Sequence, residues 1–110
     1  MPLAPRLRQL PRTTVGGLRV PVADGFRARL LGFAYLDRAD AGAGLLIPRC
    51  ASVHTFGMRF TLDLYFLDEA GEPLAIRHEI GPRRVVSCRG ARAVLEIPAG
   101  EGGEFSPPGS

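Results

Sequence analysis

Four side chains in this sequence have the types needed for a polar site: His54, Arg59, Asp63 and Glu96. Asp63 lies in T-L-D-L-Y and Glu96 in V-L-E-I-P, each a single carboxylate between apolar neighbours. Asp is depleted in strands because its short side chain competes for backbone hydrogen bonds, so an acid in such a run is solvated, paired or functional. A guanidinium offers the fork that meets a carboxylate bidentately, and Arg59, with Arg27 on the expected helix, is the available partner. A cluster of this kind has two uses. It can fix strand register as a structural ion-pair group, or it can line a cleft in which His54 and the arginines accept an anionic or polyhydroxylated ligand. Paired carboxylates could also serve as acid and base on glycosides, but the chain has no Trp on which to stack a sugar.

Cys50, His54, His78 and Cys88 are the potential soft-metal ligands. Cys50 and His54 form C-x3-H, a spacing that can chelate, yet His78 and Cys88 stand on separate expected strands and no C-x2-C knuckle occurs. No metal and no cofactor are therefore expected. A thiolate paired with an imidazolium would be nucleophilic. An extended chain separates residues four apart by about 13 Å, so Cys50 and His54 meet only across a bend. With no nucleophile elbow in the chain, no catalytic residue is assigned, and a hydrolase built on Cys50/His54 or on Asp63/Glu96 stands behind a binding role.

These groups must be positioned by strands. Over 60–67, Phe60, Leu62, Leu64 and Phe66 share one face while Thr61, Asp63, Tyr65 and Leu67 share the other, the period of a half-buried strand. Gly16-Gly17 between apolar runs signals a two-residue hairpin with strands over 12–15 and 18–22. Asp24 is placed to cap one helix over 25–35, in which Phe26, Leu30 and Leu31 recur at helical spacing. Leu45-Leu46-Ile47 is a strand closed by Pro48. Residues 52–56 read as extended, with Gly57 allowing a bend before the main strand. D-E-A-G-E then turns the chain into a return strand over 74–80, on which Leu74, Ile76, His78 and Ile80 share a face. Short strands over 85–88 and 93–97 complete the set. The fold class is mostly β (α+β): a small partly closed β-barrel or two-layer roll of six or seven short strands with one helix.

A length of 110 residues suits one domain with a real core. Residues 1–11 read as a flexible Pro/Arg-rich arm, 12–100 as a single β-rich domain and 101–110 as a disordered Gly/Pro/Ser tail. All the basic residues are Arg and none is Lys, a bias of GC-rich coding rather than a nucleic-acid signature. A net charge of +3 with scattered arginines argues against a nucleic-acid partner. No run approaches the roughly 18 apolar residues of a membrane span, and the start lacks a continuous apolar signal core. The expected location is the cytoplasm, where Cys50 and Cys88 stay reduced.

The chain also resembles the bacterial and archaeal family called domain of unknown function 192. The resemblance runs through Arg27 to Gly32, Gly42 to Ile47, Thr55 to Arg59, Thr61 to Asp63, Asp68 to Gly71 and Val94 to Gly100, and covers about residues 12–100. V-H-T-F-G-M-R-F at Val53 to Phe60 looks like one branch of that family. Arg29 stands where Gly is usual, Phe33 where Arg is common, Thr61 where Pro is common, and A-G separates Asp68-Glu69 from the usual D-G turn. The resemblance implies a small β-rich fold and a shared surface around Met58, Arg59, Asp63 and Glu96. It implies no activity.

The functional expectation is a small binding or accessory domain. His54, Arg59, Asp63 and Glu96 would line a polar cleft for a small polar ligand or a partner's peptide. The alternatives are the hydrolase above and a scaffold whose sheet edge or apolar patch binds a protein.

Overall fold

A computed structural model describes residues 3–99, apart from the side chains of Phe26, Arg27 and Leu30. The chain runs through α1 (Pro5–Arg8), β1 (Arg12–Val15), β2 (Leu18–Pro21) and α2 (Phe26–Leu31), then a single 3-10 turn, Arg38–Asp40. It continues with β3 (Leu45–Pro48), β4 (Ser52–His54), β5 (Leu62–Leu67), β6 (Pro73–Ile80), β7 (Val85–Ser87) and β8 (Ala93–Pro98). The mostly-β expectation holds. Among the described residues there are eight strands rather than six or seven, in three sheets that do not close into a barrel. The tail expected over 101–110 lies outside the described residues.

The alternating apolar run of β5 becomes a central strand of the main sheet, whose order is β3-β8-β5-β6 with antiparallel neighbours. Side chains directly opposite across an antiparallel pair share a face. One face therefore carries Leu45, Ile47, Leu62, Leu64, Phe66 and Val94, packed with Phe33, Met58 and Leu7. The other carries Tyr65, Leu67, Leu95 and Ile97, covered by Val20 of the β1–β2 hairpin. β5 is thus buried on both faces rather than half-buried, because the hairpin supplies a second layer. A parallel bridge from Val22 to Leu46 and a hydrogen bond from the Ala23 amide to the Leu46 carbonyl, 2.8 Å, tie that layer to β3.

The Gly16-Gly17 turn sits where expected, both residues at positive φ (56° and 80°), a geometry that glycine adopts without a Cβ penalty. The helix is shorter than the spacing predicts. It ends at Gly32, and Asp24 does not cap it; the Asp24 carboxylate pairs with Arg49 and Gly25 occupies the cap position. Residues 3–11, expected as an arm, pack against the domain: Leu7 is buried and the Ala4 amide donates to the Asp40 carbonyl at 2.9 Å.

The return strand β6 departs from simple alternation. Leu62 opposes Ile80 and Leu64 opposes Arg77, so His78 and Glu79 together face the single residue Asp63. This is a β-bulge, with Glu79 at φ 52°. It moves Ile80 onto the Leu62 face while Ile76 stays opposite Tyr65, and it leaves His78 exposed rather than pointing with the core residues.

Candidate functional site

Beyond α2 the chain passes through residues 32–34 and lies against the sheet face of Leu45 and Leu64. Arg6 of α1 holds this segment by donating to the carbonyls of Gly32 (2.9 Å) and Ala34 (2.6 Å). Burial lowers the pKa of the Arg6 guanidinium from its ordinary value. Opposite lies the segment from β4 to Met58, anchored by the fully buried Thr55. Thr55 Oγ1 donates to the Gly81 carbonyl at 2.7 Å and accepts the Arg84 amide at 2.9 Å. Between the two segments is a cavity of about 310 Å³. Phe33, Ile47, Val53 and Met58 give it apolar walls, while Arg29, Cys50, Ser52, His54 and Glu96 supply its polar groups.

Glu96 is the buried polar group of this cavity. Its residue in β8 is paired with Leu45 of β3 and Leu64 of β5, which fixes its side chain on the apolar face. It is only 4% exposed, and burial pushes its pKa from 4.5 up to about 8. Among the described residues no hydrogen bond or ion pair reaches the carboxyl group, and no side-chain polar atom sealed from solvent lacks a partner. The Glu96 oxygens therefore open onto the cavity. A Cβ built on Gly32 would stand 3.5 Å from Oε1, so the bare glycine keeps the space beside the carboxyl clear.

His54 stands exposed at the rim, where its Nδ1 accepts the Phe56 amide at 3.2 Å. In the neutral ring this arrangement leaves the proton on Nε2, which then presents a donor rather than a base. The Cys50 thiol donates to the Ser52 carbonyl at 3.1 Å rather than to His54. Arg29, exposed, donates to the Arg49 carbonyl at 2.9 Å.

Of the four residues singled out in the sequence, the structure brings His54 and Glu96 to one cavity and places the other two elsewhere. Asp63 is opposite Ile97, one residue out of phase with the Leu64–Glu96 pair, so the two carboxylates project from opposite faces of the sheet. Asp63 accepts the Glu79 amide at 2.9 Å and lies 3.4 Å from His78 Nδ1. Burial and the Asp63 charge together raise the pKa of the neighbouring Tyr65. Arg59 pairs on the surface with Asp37 at 3.0 Å. The Arg27 side chain, named as a second partner for the acids, lies outside the described residues. The sequence reading missed Arg6, Thr55 and the 32–34 wall. Only the departure of Phe33 from the usual Arg hinted that an apolar wall stands there, and Phe33 is buried with its ring centroid 5.8 Å from that of Phe60.

A broader and shallower groove of about 860 Å³ runs between the β1–β2 turn and the loops around Asp68 and Arg92. Larger though it is, it contains no buried polar group, so the Glu96 cavity is the better candidate. Among the described residues no three His, Cys, Asp or Glu side chains gather as a metal site, and no helix is long and apolar enough to cross a membrane.

A family model named DUF192 and described as an uncharacterized ACR matches residues 10–106. No curated protein matches the chain. Among solved structures, a proposed transcription regulator from Sinorhizobium meliloti superposes with a TM-score of 0.69 at 22% identity, over 87% of this chain and 85% of the other. A protein of unknown function from Novosphingobium aromaticivorans superposes with a TM-score of 0.62, also at 22% identity, over 81% and 71%. At that identity the likeness establishes a common fold.

Proposed function

We propose that this chain, which belongs to the DUF192 family, is a binding domain whose cavity beside Glu96 takes a small molecule with an apolar body and a polar group. The observation that carries the reading is Glu96 itself: a carboxyl group 4% exposed, without a partner among the described residues, on the wall of a cavity. Burying a carboxyl without a hydrogen-bond partner costs stability, and a ligand that satisfies it recovers that cost on binding. A few convergent polar groups in a mostly apolar concavity are the usual composition of a small-molecule site, and about 310 Å³ is at the small end of that range.

Cys50 and His54 share the cavity, but the hydrogen bonds they make favour binding over catalysis. The thiol is engaged by a carbonyl, and the His54 nitrogen that could act as a base already accepts an amide.

A two-dimensional amide NMR titration with panels of small amines, acids, sugars and nucleotides tests the reading. Shifts gathered at Gly32, Val53, His54 and Glu96 support it. A well-dispersed spectrum that no panel moves overturns it.

A further inference from the structure

We infer that the ligand is an organic cation, an amine, amidine or guanidine on a small apolar body, whose charged nitrogen meets the Glu96 carboxylate inside the cavity. The inference rests on the binding reading above and names the chemistry of the ligand.

The charges around Glu96 decide this. From β3 and β5 it is faced by Leu45 and Leu64; Gly32, beside its Oε1, has no side chain, and Phe33 and Ala34 of the same segment carry no charge. Among the described residues, the charged or titratable groups at the cavity are Arg29, Cys50 and His54. Arg29 and His54 are exposed, where water screens their charge, and Cys50 is engaged by the Ser52 carbonyl. Asp63 lies on the other face of the sheet. The carboxyl is therefore the only buried titratable group of the cavity among these residues, and the charge it takes on ionising is negative. A cation placed beside it gains charge-assisted hydrogen bonds in a low-dielectric setting, whereas an anion there meets a group of its own sign or a neutral acid. Phe33, Ile47, Val53 and Met58 suit the apolar body of such a molecule. The half-exposed ring of Phe56 at the rim offers a further face to a cation.

Glu96 is held protonated at neutral pH by its burial, so a cation that pairs with the carboxylate displaces one proton to solvent. Affinity must then rise with pH until the carboxyl is ionised without help.

Benzylguanidinium, benzyl alcohol and benzoate form the test set, because the guanidinium keeps its charge throughout the range. Binding is followed by amide NMR and calorimetry from pH 7 to pH 9. Benzylguanidinium should shift Gly32 and Glu96, and its affinity should climb about tenfold per pH unit up to about 8 and then level. Glu96→Gln should weaken it at least tenfold at pH 8.5 and remove the pH dependence; His54 and Cys50 remain in that variant, so a slope that persists belongs to them and overturns the inference. If benzyl alcohol or benzoate binds as tightly as the cation, the cavity is a ligand site but not one for cations. If none of the three moves the cavity resonances at any pH, the inference and the binding reading both fall.

Discussion

The Asp63 carboxylate accepts the backbone amide of Glu79 across the β5–β6 hairpin at 2.9 Å. Glu79 is the second residue of a bulge and stands at φ 52°, where a side chain is strained, so its amide does not point along the regular ladder. Asp63 supplies the acceptor that the ladder cannot. The acid on the central strand is thereby explained by the backbone of its neighbour.

Asp63→Ala should therefore lower stability by about 1 kcal/mol, since it removes a charged acceptor from an amide that solvent can otherwise reach. Asp63→Asn keeps an oxygen in place and should cost less. Denaturant midpoints rank the variants, and hydrogen exchange at the Glu79 amide should quicken in the Ala variant first. Equal midpoints for Ala and wild type would show that the bulge holds without the carboxylate.

Glu96 predicts an unusual dependence of stability on pH. Its carboxyl titrates near 4.5 when unfolded and near 8 when folded, so between those values the folded state keeps a proton that the unfolded state has released. Stability then falls as pH rises through that window, by up to about 1.4 kcal/mol per unit, and levels above it. Glu96→Gln should match wild type near pH 4 and exceed it by a few kcal/mol at pH 9. Urea unfolding across that range measures the difference; parallel curves for the two proteins would remove Glu96 as the cause.

Arg59 and Asp37 are 57% and 66% exposed, and an ion pair in that setting contributes less than about 1 kcal/mol. Arg59→Ala should leave both the thermal midpoint and benzylguanidinium binding close to wild type. A variant that folds but loses the ligand would return Arg59 to the site.

Leu7 is 2% exposed, although it belongs to a Pro- and Arg-rich stretch. Leu7→Ala should cost about 2–5 kcal/mol by thermal or urea unfolding, the loss expected of a buried leucine. Because Arg6 in the same turn holds the carbonyls of residues 32 and 34, the variant should also broaden the amide resonances of the cavity wall. A cost below 1 kcal/mol would mean that this turn is dispensable to the core.

What the sequence determined by itself is local. The β1 strand begins and ends where the Gly16-Gly17 turn and its flanking residues place it, and the alternation from Leu62 to Leu67 assigns each side chain its face because neighbours in a strand must point opposite ways. The mostly-β class follows from several such segments in a row. Tertiary structure decided the rest. That Asp63 and Glu96 face opposite ways depends on which residue of β5 meets which of β8, and a shift of one residue would have put them together. That register is set by contacts between segments some thirty residues apart, as are the packing of Leu7 on the core and the hold of Arg6 on the cavity wall. Alternation within a strand is a property of the chain; the alignment between strands is a property of the packed molecule, and the candidate site exists only through the second.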